Sequence, residues 1–255
     1  MKRIFAICLL TGWILWGCSA TVPVTEMPAG EYSLLETTIE TTLPETETTR
    51  VTEETTEPTV EETQWTAPPA QESTVFVRIV DYIPFALERL AYATEENFTG
   101  TVIYGFTEAY LRYGTLEKLM AAAQRLEKLG YGIVIWDAYR PVYGQERLWE
   151  AYPDPAYVSP PGTGTQAHCR GNAVDITLYD LQTGFLLEMP TDFDAFTAEA
   201  DRDYRDVSEE AADNARLLEQ IMTECGFRPY NAEWWHFTDT DSYPIEYEFD
   251  PGIHS

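Results

Sequence analysis

Residues 168–180 read HCRGNAVDITLYD, and the fold hinges on this stretch. Gly171 permits a tight backbone reversal after His168, and from Ala173 onward the residues alternate as in a strand. Alternation sends Val174, Ile176 and Leu178 to one face and Ala173, Asp175 and Thr177 to the other. The aliphatic face is the natural core side. Asp175 can therefore point into a cleft while its neighbours anchor the strand; the other reading is a surface aspartate near a surface histidine.

Outward from there, YGIVIWDAY (131–139) is apolar and β-branched, and reads as a buried strand. TLEKLMAAAQRLEKLG (115–130) puts Leu116, Leu119, Met120, Ala123 and Leu126 on one helical face, with Gly130 as its stop. QERLWEAY (145–152) reads as a short helix. SEEAADNARLLEQIMTECGF (208–227) reads as a long one, with Ser208 as N-cap and Gly226 past its end. AEWWHFTD (232–239) is aromatic and extended. Helices and strands mix without a strict βαβ rhythm, which points to an α+β fold over residues 74–255. There is no internal repeat of about 20–50 residues and no Gly-rich phosphate loop.

The N-terminal part is of another kind. MKRIFAICLLTGWILWGCSA (1–20) has a basic start at Lys2 and Arg3, then an apolar run from Ile4 to Trp16 broken only by Thr11 and Gly12. That is the layout of a secretory signal, and it is short for a membrane span. Leu15-Trp16-Gly17-Cys18 resembles a bacterial lipobox, although Trp16 is bulkier than the residue usual there. Residues 1–17 are then a lipoprotein signal peptide and Cys18 the lipidated N-terminus, anchoring the protein outside the cytoplasm to the bacterial cell membrane. Residues 18–73 are rich in Thr, Glu and Pro, with too little apolar surface to repay ordering, and read as a disordered stalk.

The formal net charge is -27, and acids predominate in the globular part as well as in the stalk. Phosphates would repel such a chain, which excludes nucleic acid as a partner. Of four cysteines, Cys8 and Cys18 fall in the N-terminal segment, and pairing between Cys169 and Cys225 stays open.

Chemistry is narrowed by scarcity. The chain has three histidines, His168, His236 and His254. His254 is the penultimate residue of a Pro/Gly-containing tail and reads as solvated. His168 lies beside the strand that carries Asp175, and His236 sits three residues after Glu233 in EWWHF. Two imidazoles and a carboxylate form a plausible zinc set. On a regular strand Glu233 and His236 face opposite ways, so they converge only if the strand is bulged or bent. Trp234, Trp235 and Phe237 around Glu233 would raise its pKa, which suits a proton shuttle.

HCRGNAVD and EWWH, taken with YATEENFTG (92–100), WDAYRP (136–141) and MPTDFDAF (189–196), resemble the VanX-type D-alanyl-D-alanine dipeptidases, in the zinc D,D-peptidase group that includes VanY-type carboxypeptidases. The resemblance extends over nearly all of residues 76–240. It implies one zinc peptidase domain with a central, mostly antiparallel sheet and flanking helices. It implies one Zn2+ per chain on His168, Asp175 and His236, an activated water as nucleophile, and Glu233 as general base. Arg140 would stabilise the oxyanion, or pair with Asp137. Asp194, Tyr92 and Asp137 would contact substrate, Asp194 and Tyr92 at the free ammonium of a dipeptide. Gln166 departs from the family, which has a small hydroxyl residue there, and Cys169 directly follows the first ligand. The expected activity is hydrolysis of D-alanyl-D-alanine or a similar small dipeptide. One alternative is a D,D-carboxypeptidase trimming peptidoglycan stem peptides. Another is a non-catalytic wall-binding lipoprotein, against which the retained ligands and Glu233 speak.

Overall fold

The strand read at residues 173–180 is the centre of a five-stranded sheet in the computed structural model, which describes residues 66–253. The expected signal peptide, the lipidation at Cys18, the stalk up to residue 65 and His254 lie outside the described residues. Along the chain run β1 (Phe76–Arg78), α1 (Ile79–Tyr82), β2 (Leu87–Glu88), β3 (Tyr110–Arg112), α2 (Tyr113–Glu127), β4 (Tyr131–Asp137), α3 (Val142–Ala151), α4 (Ala167–Arg170), β5 (Ala173–Asp180), α5 (Glu209–Glu224), β6 (Phe227–Tyr230) and β7 (Glu233–Asp239). The main sheet has the order β2-β4-β5-β7-β6, and β1 and β3 form a separate pair. Only β2–β4 is parallel within the main sheet, and the other pairings are antiparallel. This is the α+β fold expected, with a mostly antiparallel sheet. No described helix is long and apolar enough to cross a membrane.

Register assigns the two faces. Ile133 pairs with Leu178, Ile135 with Ile176, and Val174 with Phe237. Directly opposed residues share a face, so these side chains make one apolar layer, and all belong to the buried core. α2 lies against β4 and α5, and α5 reaches β6 and β7. α2 buries Leu116, Leu119, Ala123 and Leu126, as its periodicity requires, while Met120 is only partly covered. α5 buries Ala215, Leu218 and Met222, and the Ser208 hydroxyl accepts the Ala211 N–H at 3.0 Å as N-cap. Each fully buried Leu or Met contributes about 1.5–3 kcal/mol of transfer free energy. The opposite face of β5 is also buried, yet it carries polar side chains: Asp175 and Thr177 are 3% and 1% exposed.

Residues 66–73, on the stalk side of the expected boundary, bond to the domain. The Tyr82 hydroxyl donates to the Pro69 carbonyl at 3.2 Å, and the Gly114 N–H donates to the Ser73 carbonyl at 3.0 Å.

Candidate metal centre

Three adjacent strands build one row of the site. Asp137 of β4 opposes Asp175 of β5, and Asp175 opposes His236 of β7. Asp137 reaches this row through an irregularity. The register shifts between Ile135 and Asp137, leaving Trp136 as an extra residue. Without that bulge, Asp137 would share the aliphatic face of Ile135, two residues away.

The bend that Glu233 and His236 require is present in β7. Tyr230 pairs with Glu233, but the next pair along is Pro229 with Phe237. Residues 234–236 thus have no register partner on β6, and the Glu233 carboxylate comes within 3.9 Å of His236 Nδ1.

His168 arrives from above the row on the single turn of α4. Gln166 at φ 48° enters the turn and Gly171 at φ 71° leaves it, both left-handed. Only glycine suits position 171: a Cβ there would overlap the Phe76 ring. His168 Nδ1–H donates to the Ala138 carbonyl at 2.7 Å, leaving Nε2 as the free lone pair.

Three donor atoms then face one another. His168 Nε2 is 3.4 Å from Asp175 Oδ2 and 3.3 Å from His236 Nδ1, and His236 Nδ1 is 2.8 Å from Asp175 Oδ1. Ligands about 2.0 Å from a tetrahedral zinc lie roughly 3.3 Å apart. The triangle therefore has the size and donor chemistry that such an ion needs, and among the described residues it is the one cluster with metal-ligand geometry. His236 Nε2 lies 2.9 Å from the Thr238 hydroxyl, which orients the ring. Burial opposes ionisation of Asp175, but the flanking His168 and His236 hold its carboxyl well below the usual range. Burial raises Glu233, outweighing His236.

Of the other expected residues, Tyr92, Arg140, Asp194 and Glu233 line the same cavity, of about 350 Å³. Arg140 stacks over the Tyr92 ring at 4.8 Å. Its Nε and Nη2 donate to Asp137 Oδ2 at 2.9 and 2.5 Å, and its Nη1 to Gln145 Oε1 at 2.8 Å. Arg140 is thus ion-paired with Asp137, as one of its two readings has it, and also lines the cavity. Asp194, at φ 53°, accepts the Tyr92 hydroxyl at 2.6 Å. Burial pushes the Asp194 carboxyl up to about 8, against the Tyr92 hydrogen bond and aided by the charges of Asp175 and Glu233.

Asp137, expected at the substrate, is instead fully buried, and its carboxylate is engaged by Arg140, the Tyr104 hydroxyl and the Ala138 N–H. Cys169 and Cys225 are both free, and burial pushes the Cys169 thiol up to about 11, so it stays protonated beside the ligand it follows. Sequence reasoning missed Thr238, Gln145 and the Trp136 bulge. Thr238 lies two residues beyond His236 on the same strand, and that spacing was the available signal. Nothing in the sequence marks Gln145 or the bulge.

A family profile described as D-ala-D-ala dipeptidase matches residues 72–250. The chain is similar to the D-alanyl-D-alanine dipeptidase of Escherichia coli (strain K12), 35% identical over 176 residues, 68% of this chain and 90% of that protein. It is similar to the D-alanyl-D-alanine dipeptidase of Enterococcus faecium, 32% identical over 180 residues, 61% of this chain and 87% of that protein. Among solved structures it overlaps a vancomycin resistance D,D-pentapeptidase, VanY, at 14% identity and a TM-score of 0.36, covering 54% of this chain and 77% of that one.

Proposed function

The chain belongs to the D-Ala-D-Ala dipeptidase family of metallopeptidases, and from that membership we propose that it is a zinc-dependent hydrolase of D-alanyl-D-alanine or a similar small dipeptide, acting outside the cytoplasm on a lipid tether at Cys18. The observation that carries the reading is one cavity that holds the donor triangle, Glu233, Arg140 and Asp194 together.

His168, Asp175 and His236 would hold the ion. A bound zinc supplies Lewis acidity, polarising the scissile carbonyl and bringing the pKa of a coordinated water to about 7. Glu233, raised by burial and beside His236, takes the proton of the attacking water and passes it to the leaving amine. Arg140 is fixed by Asp137 and Gln145, so its cavity-facing edge meets the carbonyl oxygen as negative charge develops there without reorganising.

Substrate choice rests on Asp194. A carboxyl pushed up to about 8 by burial gains most from a cation that lets it ionise. The free ammonium of a dipeptide is such a cation, and an acylated stem-peptide nitrogen is not. Assay of the purified protein on D-alanyl-D-alanine beside an N-acetylated D-alanyl-D-alanine peptide tests this. Hydrolysis of the free dipeptide is expected. Activity confined to the blocked peptide would replace this reading with the carboxypeptidase. The lipid tether is supported by the layout of residues 1–18, and mass spectrometry of the N-terminus of the membrane fraction tests it.

A further inference from the structure

The bend that turns Glu233 toward His236 leaves residues 234–236 without register partners on β6. Main-chain carbonyls need donors, and Arg202 supplies them on both strands around that gap. Arg202 Nε donates to the Tyr230 carbonyl at 2.8 Å, and its Nη2 donates to the His236 carbonyl at 2.9 Å. The Arg202 backbone N–H adds a bond to the Asn231 carbonyl at 2.9 Å. One residue thus ties both ends of the turn between β6 and β7 and reaches the main chain of an expected ligand.

The guanidinium is itself held. It lies 4.6 Å from the centre of the Phe237 ring. Its Nη1 donates to Glu219 on α5 at 3.1 Å, and the Tyr204 hydroxyl donates to the same carboxylate at 2.9 Å. Tyr204 sits at φ 52°, left-handed backbone that a tyrosine seldom adopts, and is 7% exposed. The Arg202 side chain is 5% exposed and touches none of the donor atoms, so its role is not that of a ligand or a base.

We propose that Arg202 is a positioning residue, which couples the bulged β7 to α5 and keeps Glu233 and His236 convergent. The effect on turnover rests on the zinc peptidase reading above, and that on metal affinity on its ligand set. The effect on local exchange rests on neither.

The test compares the wild-type chain with Arg202→Met, Arg202→Lys and Glu219→Gln. Zinc affinity is read by competition with a chelating indicator, turnover as separate kcat and KM on D-alanyl-D-alanine, and amide hydrogen exchange of residues 230–236 with the metal removed. Arg202→Met is expected to weaken zinc binding and lower kcat by about 10–100-fold each, with KM within roughly threefold, and to speed exchange in the turn. Arg202→Lys should recover part of each loss, because one ammonium can serve one carbonyl. Glu219→Gln should give a smaller loss in the same direction, and it decides the matter if Arg202→Met does not fold. A lower unfolding midpoint with zinc affinity, kcat and exchange of the turn all unchanged would make Arg202 an ordinary structural tie and overturn the proposal. If the wild type cleaves no dipeptide, the functional reading fails, while zinc affinity and exchange still judge the role of Arg202.

Discussion

At the scale of single residues, the proposed mechanism divides labour between groups that would meet the reacting atoms and groups that aim them. Glu233→Gln removes the proposed base and leaves the donor triangle intact. It should lower kcat by more than about 100-fold while zinc content stays at the wild-type level, measured by steady-state kinetics and elemental analysis. Asp175→Ala or His236→Ala should instead lose metal, and unaltered metal content would show that the ligand set is wrong. Thr238→Val should weaken zinc binding by about 10–100-fold, because His236 loses the partner of its second nitrogen. Asp194 sets a pH dependence. Its folded pKa of about 8 lies above the ordinary 3.8, so the folded state binds the extra proton. Asp194 therefore erodes stability as pH rises from about 4 to 8, and Asp194→Asn should gain on the wild type from pH 5 to pH 9 in metal-free denaturant melts. A constant difference would show that Asp194 is not buried as described. The two histidines, Asp175 and Glu233 were legible because so few imidazoles exist in the chain. The pairing of Asp137 with Arg140 was legible only as one of two readings, since a motif does not show which acid is already paired.

At the scale of elements, β5 supplies the carboxylate of the donor triangle because alternation leaves one face aliphatic, and that much is written in its residues. What alternation cannot supply is the departures from it. The register shift at Trp136 turns Asp137 to the site face, and the bend in β7 brings Glu233 to His236. The need for that bend follows from a separation of three residues, while its location and its tie to Arg202 depend on tertiary contacts. α4 and Gly171 are the other constraint. Gly171→Ala meets both a left-handed φ and the Phe76 ring, so it should cost more than about 1 kcal/mol. Because His168 rides on that turn, zinc affinity should fall with it. Thermal melts with and without zinc check both. At α5, Ser208→Ala should cost about 1 kcal/mol in urea unfolding, as loss of an N-cap does, with kcat unchanged.

At the scale of the molecule, the α+β class was readable from the mixture of a long amphipathic helix, apolar strands and no βαβ rhythm. Strand order was not, because β2, β4 and β7 are neighbours of strands distant in sequence, and no local pattern encodes that pairing. The sheet joins the donor residues by adjacency: β5 lies between β4 and β7, so His236 meets Asp175 although they are far apart along the chain. A centre assembled from separate elements should stabilise the fold when filled. Chelation is expected to lower the melting temperature, and added zinc should restore it. Metal ligation is tested most directly by the anomalous scattering of a zinc-soaked crystal at the zinc edge. One peak per chain is expected, about 2.0–2.2 Å from His168 Nε2, His236 Nδ1 and an Asp175 oxygen. A zinc peak bound elsewhere, with these three side chains unligated, would contradict that ligand set.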